Sequence, residues 1–298
     1  MSPGSIDRRS VARAFGRAST TYESAARLQS RVRDELLSRL VHFRPATPLV
    51  LDLGAGTGAA SPRLRTQWPD AQVVAVDLAP GMLHQAGTAL GFWDRWLDWR
   101  GRTFHRVAAD TVRLPFRDHS VGLVFSNLML QWCDDLDAAL AEIHRVLAPG
   151  GVLLMSTFGP LTLRELRAAW ATVDAAPRVN DFVDLHDLGG ALVRAGFAEP
   201  VLDVDRILEW HATPRSLMQS LRDIGAVNAA AQRRRGLTGR RALASMERAY
   251  GEHARADGKI PATWEVLFAS AFASSSSPVN RAAQIHVPAS AIGRRGPR

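Results

Sequence analysis

The chain has 298 residues, of which 46% are hydrophobic and 22% charged, enough apolar material for one large core or two modest ones. No apolar run reaches the roughly 18 residues of a membrane span, and residues 1–9 hold no apolar signal core, so a cytosolic protein without membrane contact is expected. Cys133 is the sole cysteine, which excludes an internal disulfide and a cysteine-based zinc site, and the net charge of +8 is carried almost wholly by arginine, with Lys259 the only lysine. A basic balance of this kind suits nucleic acid or an acidic protein partner, and charge alone does not choose between them.

The chain opens on a polar segment that leads into Val11 to Tyr22. Ala26, Leu28, Val32, Leu36 and Leu40 then recur near a helical period, predicting a helix over Glu23 to Leu40 that Pro45 and Pro48 terminate. A helical prefix over 1–45 therefore precedes the first strand. Pro48 to Leu51 reads as that strand, and Asp52-Leu53-Gly54-Ala55-Gly56-Thr57-Gly58 as a tight turn on which a ligand can approach the backbone. Ala59 to Trp68 is the crossover helix, with free N–H groups at its start. Ala71 to Asp77 is a second strand ending in a carboxylate, close to twenty residues past the glycines, where a ribose diol needs an acceptor.

The spacing G-x-G-x-G behind Asp52 departs from the dinucleotide fingerprint. It resembles the S-adenosylmethionine site of class I methyltransferases, D-x-G-x-G-x-G followed by an acid. That resemblance makes Asp52, Gly54, Gly56, Gly58 and Asp77 candidate cofactor ligands, together with Leu78 and, from the helix beginning at Pro80, Met82.

That helix runs to about Leu90, and the following Gly91 to Trp99, with three tryptophans at helix-like spacing, reads as an amphipathic packing insertion. Thr103 to Val107 is a third strand. Behind it Asp110 stands at the carboxyl end of a parallel strand, where it can accept the exocyclic amine of an adenine while Leu114 packs on the ring, with Thr111 beside it. Ser120 to Phe125 is the fourth strand and runs into Ser126 to Cys133. In a methyltransferase this position borders the transferred methyl, which makes Asn127, Gln131 and Trp132 candidates; Cys133 reads as a small hydrophobe. Leu136 to Leu147 is a helix ending at Pro149-Gly150-Gly151, and Val152 to Thr157 is the fifth strand.

Five strand-and-helix units predict an α/β doubly wound parallel sheet. Val201 to Ile207 and Trp264 to Ala269 fit as sixth and seventh strands, the last antiparallel if the class I methyltransferase resemblance holds. The domain reading is one unit over 1–273: the prefix, a Rossmann-like core over 46–213 and 258–273, and a helical cap over 214–257. Residues 274–298, rich in serine and proline, read as a disordered tail.

Several segments resemble a narrower group. They are Ala14-Phe15-Gly16-Arg17-Ala18 with Tyr22; Ser126-Asn127-Leu128 with Gln131-Trp132; Thr157-Phe158-Gly159 with Leu163-Arg164-Glu165-Leu166 and Ala169-Trp170; and Gly225-Ala226 with Gly236-Leu237-Thr238-Gly239. Together they resemble the BioC family, malonyl-acyl carrier protein O-methyltransferases of biotin synthesis, over nearly the whole chain. The tryptophan-rich insertion and Ala79-Pro80 in place of Ser-Pro are departures from that family.

The resemblance implies methyl transfer from S-adenosylmethionine to the free carboxylate of a malonyl thioester. That carboxylate is already ionised at neutral pH, so no general base and no metal are expected, consistent with the lack of paired acids or a triad. Tyr22 and Phe182 are expected to shield the reaction, with Gln131 and Trp132 as its floor. The acidic carrier protein is expected to meet Arg233, Arg234, Arg235, Arg240 and Arg241 of the cap, while malonyl-CoA stays open as a second substrate. Two other readings remain: a relative of the fold with altered activity, such as a protein-arginine hydroxylase or assembly factor, and a nucleic-acid methyltransferase. Against the last, no Asn-Pro-Pro-Tyr-like clamp follows the fourth strand.

Overall fold

A computed structural model describes residues 7–88, 104–226 and 239–274. The tryptophan-rich insertion, Arg233 to Arg235 and all but the first residue of the expected tail lie outside the described residues.

The centre is a seven-stranded sheet of order β3-β2-β1-β4-β5-β7-β6. Its strands are β1 (Leu49–Leu53), β2 (Gln72–Asp77), β3 (His105–Ala108), β4 (Val121–Asn127), β5 (Leu147–Phe158), β6 (Phe197–His211) and β7 (Ile260–Ala273). From β3 to β5 all pairs are parallel, and β7 runs antiparallel to both β5 and β6, as expected for the last strand. Alternate residues of the central strands point to opposite sides, and both sides are covered, which is why these segments are apolar throughout. Val50, Val73, Leu123 and Leu154 join Leu36, Leu64 and Tyr250 in one core. Leu51, Val74, Val124 and Leu153 join Leu140, Ile143, Leu188 and Leu192 in the other.

The covering helices, in chain order, are α1 (Arg8–Ala18), α2 (Tyr22–Ala25), α3 (Arg27–Ser38), α4 (Ser61–Gln67), α5 (Pro80–Thr88), α6 (Leu136–Val146), α7 (Arg164–Ala171), α8 (Leu185–Arg194), α9 (Pro214–Asp223) and α10 (Arg240–Gly251). Among the described residues, no helix is long and apolar enough to cross a membrane.

Four elements depart from the periodicity reading. The helix expected over 23–40 is broken at Ala26, whose ψ of 43° ends α2 before α3 begins, and a 3-10 turn over Arg39–His42 finishes it. Long-range contact decides the break: the Glu23 carboxylate accepts a bond from the Thr57 hydroxyl in the glycine turn, while Ala26 is buried. The fifth strand begins at Leu147 and includes Pro149-Gly150-Gly151, with Gly150 at φ 75° and a register shift opposite Val121 and Leu123. The sixth and seventh strands extend well beyond their apolar runs because the antiparallel ladder joins backbones whatever side chains they carry. Pairing continues from Phe197 with Ala273 to His211 with Ile260.

Candidate active site

The strand order reverses between β1 and β4, and open α/β sheets leave a crevice at such a point, outside the carboxyl ends of the strands. A cavity of about 770 Å³, open at its mouth, lies there. Leu53, Gly54 and Gly56 enter its wall from β1 and the turn, Asp77, Leu78 and Met82 from β2 and α5, Asp110 and Thr111 from the loop after β3, and Asn127, Met129, Trp132 and Cys133 from the segment after β4. Arg8, Phe15 and Tyr22 close it from the prefix.

The turn is shaped by its glycines. Gly56 has φ 56° and a Cβ built there would meet nothing within 4 Å, so its backbone faces open cavity. Asp77 locks the same turn: one carboxylate oxygen accepts the Gly56 N–H at 2.9 Å and the other the Ala79 N–H at 2.7 Å. Each oxygen keeps a second lone pair, and desolvation at the cavity floor raises the group above the ordinary aspartate range. A carboxylate acceptor beside bare backbone suits a ribose diol, and the enclosed, partly apolar crevice suits the remainder of S-adenosylmethionine. The residues present fit that group.

After β4 the chain turns at Leu128, a non-glycine residue held at φ 49°. Its N–H is taken by the Ser156 carbonyl and hydroxyl, both at 3.0 Å. Asn127 is clamped on both sides, its amide donating to the Gln29 carbonyl at 3.1 Å and its oxygen accepting from the Ser156 hydroxyl at 2.9 Å. Gln131 donates to the Leu128 carbonyl at 2.6 Å and accepts from the Thr157 hydroxyl at 3.2 Å.

A second cavity, about 330 Å³, shares the wall formed by Phe15, Tyr22, Leu128 and Trp132 with the first. Gln29, Gln131, Phe158, Ile224, Ala226 and Trp264 line its other sides. Phe15 meets Trp132 edge-on with ring centroids 5.2 Å apart, which makes the partition rigid and apolar. The Tyr22 hydroxyl makes no hydrogen bond among the described residues. Burial, with Asp77 and Glu23 nearby, holds its pKa above the ordinary phenol value, so it stays a donor.

Most of the residues expected at the cofactor therefore converge on one wall. Asp52, Gly58 and Phe182 lie outside both walls. Asp52 is buried in the core and accepts the Ser61 hydroxyl at 2.6 Å, which ties β1 to the start of α4. A Cβ on Gly58 would come within 2.8 Å of Ala86, so this position serves the packing of the turn on α5. Phe182 stands behind the second cavity, edge-on to Phe158 at 5.7 Å. Leu114, expected on the adenine face, is buried in the core instead. Arg240 and Arg241 are exposed at the start of α10. Arg8 and Phe15 lie far from the glycine motif in sequence. Arg8 pairs with Asp110 at 2.8 Å across 102 residues, for which no local pattern exists. Cys133 lines the cavity, and burial pushes its thiol up to about 12, so it is no nucleophile at neutral pH.

Burial likewise pushes Asp52 up to about 7, against the opposing pull of the Ser61 hydroxyl. The folded value exceeds the unfolded one of about 3.9. This group's contribution to stability is therefore full below about pH 4 and drains away as pH rises through about 7. Asp52→Asn, which cannot ionise, is expected to lose less stability between pH 5 and pH 8 than the wild type, by on the order of 2 kcal/mol. Urea unfolding at both pH values checks this, and parallel losses would place Asp52 in the ordinary carboxylate range.

A methyltransferase-domain family profile matches residues 51–155, the span from β1 to β5 that carries most of the larger cavity. Among solved structures, YcgJ from Bacillus subtilis superposes with a TM-score of 0.57 at 14% identity, covering 82% of this chain and all of that one. A methyltransferase bound to its Trm112 activator from Haloferax volcanii gives 0.55 at 20% identity, covering 90% of this chain and 99% of that one. These show the fold. Sequence relatives are nearer: the malonyl-acyl carrier protein O-methyltransferase of Laribacter hongkongensis is 45% identical over 91% of both chains. That of a Methylovorus strain is 46% identical over 90% of this chain and 89% of its own. With a cavity suited to S-adenosylmethionine, a walled second chamber beside it and identity of this depth along nine-tenths of its length, the chain belongs to the malonyl-acyl carrier protein O-methyltransferase family.

Proposed function

We propose that this protein methylates the free carboxylate of a malonyl thioester carried on acyl carrier protein, as its relatives' name describes for them. The observation that carries the reading is the second cavity, separated from the cofactor cavity only by Phe15, Tyr22, Leu128 and Trp132. S-adenosylmethionine is the enzyme's methyl donor and supplies, when bound, an electrophilic methyl on a sulfonium. The chain's own contribution is placement and dryness. Gly56 and Asp77 hold the cofactor end, and the aromatic partition keeps water from the junction. The acceptor is ionised without help, so no side chain has to take a proton, and rate comes from alignment and desolvation. Gln131, pinned at both ends of its amide, keeps the floor of the second chamber in one geometry.

Within this reading the Tyr22 hydroxyl is the donor that steadies the acceptor carboxylate. Tyr22→Phe is expected to lower kcat about fivefold to tenfold, the worth of one hydrogen bond, while S-adenosylmethionine affinity holds. Unchanged turnover would move this role elsewhere. Trp132→Ala, which opens the partition, should cost more and lower kcat on every malonyl thioester alike.

The reading as a whole is tested with labelled S-adenosylmethionine and malonyl carrier protein, acetyl carrier protein or RNA as acceptor. The expected product is an alkali-labile methyl ester on the malonyl form alone. Label on acetyl carrier protein or on RNA, with none on malonyl carrier protein, overturns it.

A further inference from the structure

Helix α1 shows three faces. Val11, Ala14 and Ala18 are buried, Phe15 reaches the partition between the cavities, and Arg9, Arg13 and Arg17 stand exposed along the outer side at intervals of four. Like charges at this spacing repel and weaken a helix. Many arginines elsewhere meet acids, as Arg39 meets Glu35 and Asp203, Arg145 meets Glu142 and Asp118, and Arg215 meets Glu247, whereas Arg44 and Arg117 stand singly and without an ion pair among the described residues. Arg9, Arg13 and Arg17 have no ion pair among the described residues. Arg13 lies along its own helix, donating to the Arg9 carbonyl at 3.1 Å and the Ser10 hydroxyl at 3.4 Å.

The stripe continues on α9. Gly225, just past that helix, packs so tightly on α1 that a Cβ there would lie 3.1 Å from Phe15 Cα and 3.2 Å from Ala18 Cβ. The Thr21 hydroxyl donates to the Asp223 carbonyl at 2.9 Å. The last turn of α9, with exposed Arg222, which has no ion pair among the described residues, is therefore set beside the last turn of α1, with Arg17. Of the acids nearby, Asp110 pairs with Arg8 and Asp134 lies close enough to act on it, Asp7 caps α1, Glu23 accepts from Thr57, and Asp223 accepts from Gln219 at 2.7 Å; none of them pairs with Arg9, Arg13, Arg17 or Arg222 among the described residues. Ile224 and Ala226, the residues flanking this seam, line the second cavity.

We propose that the outer face of α1 and the end of α9, through Arg9, Arg13, Arg17 and Arg222, form the landing surface for the acidic carrier protein, so that its thioester arm enters the second cavity at the seam beside Ile224 and Ala226. This rests on the carrier-protein reading above and locates its docking face. Cations without an ion pair among the described residues, on the helix whose Phe15 walls the acceptor chamber, match an acidic surface that must deliver a long arm there. None of the exposed large apolar residues lies on α1, so the stripe lacks the aromatic platform that single-stranded nucleic acid uses.

The test compares three proteins: wild type, Arg13→Glu with Arg17→Glu, and a control with Arg44→Glu and Arg117→Glu. The control changes net charge equally, from exposed positions near the opposite ends of β1 and β4. Each is assayed on malonyl carrier protein and on malonyl-N-acetylcysteamine, a short thioester with no protein attached. For the α1 variant, kcat/KM on the carrier protein should fall about tenfold at low salt and only about twofold at 0.5 M salt, where the Debye length is a few ångströms. Activity on the short thioester should match wild type, and the control should match wild type on both. Arg222→Glu should show the same pattern, and Arg13→Gln with Arg17→Gln a weaker one.

Wild-type activity of the α1 variant on the carrier protein overturns the docking face while leaving the proposed function in place. Equal loss on both substrates also overturns it, because the charges would then act through the fold or the active site. Loss of RNA binding with carrier methylation intact assigns the stripe to nucleic acid and does the same. Failure of the wild type to methylate either malonyl substrate is failure of the function itself.

Discussion

Gly56→Val is expected to abolish S-adenosylmethionine binding while the protein still folds, with affinity falling by at least about a hundredfold, or roughly 3 kcal/mol. A Cβ at this position meets no protein atom within 4 Å, so a branched side chain would project into the space where the cofactor must touch backbone. The residue also sits at φ 56°, which a β-branched residue resists, and the variant should melt at a lower temperature for that reason. Gly56→Ala separates the two effects. It carries less strain and places a single methyl in the cavity, so it should bind weakly yet remain closer to wild-type stability. Calorimetric titration with the cofactor, alongside thermal melting, reads both quantities. Wild-type affinity in either folded variant would remove the glycine turn from the site.

Asp77→Ala carries the next largest expected effect. It deletes the acceptor for a ribose diol and strands the two backbone donors that now bond to the carboxylate, those of Gly56 and Ala79. Hydrogen bonds to a charged group contribute about 1.5–3 kcal/mol, so cofactor affinity should fall about tenfold to a hundredfold. Asp77→Asn keeps one oxygen and should fall between. The loss should appear in binding and in KM for the cofactor, with kcat at saturating cofactor reduced much less. A folded Asp77→Ala protein that binds like wild type would show that this acid serves only the turn.

Much of this organisation is legible along the chain. Val50 and Leu51 with their neighbours form an unbroken apolar run because a central parallel strand is covered on both faces, and the glycine turn follows at once because a ligand must approach backbone there. Asp77 is recognisable by its distance from that turn. The alternation of strands and helices up to β5, and an antiparallel closing strand, were likewise readable from pattern and resemblance. Boundaries were less so. β6 extends past its apolar run through Glu209 and His211 because an edge ladder is made by backbone, which leaves no hydrophobic signature.

The site's remaining features depend on residues that meet only when the chain is folded. Asp52 reads as part of the cofactor motif, yet its side chain turns inward to Ser61, since the pleat that points Leu51 and Leu53 to one face points Asp52 to the other. Ala26 looks helical until Glu23 is pulled onto Thr57. Arg8 reaches Asp110, and Phe15 reaches Trp132, across more than a hundred residues with no local code. The parallel sheet and the place of its glycine turn are written in the sequence because they follow from local periodicity, backbone freedom and residue spacing, and the family is legible there through the segments that resemble it. The prefix is expected from sequence to shield the reaction through Tyr22, but that Arg8 and Phe15 join it in the wall, that a second chamber lies behind Phe15 and Trp132, and that the arginines of α1 face outward emerge only in the folded chain, because each depends on packing between segments distant in the chain.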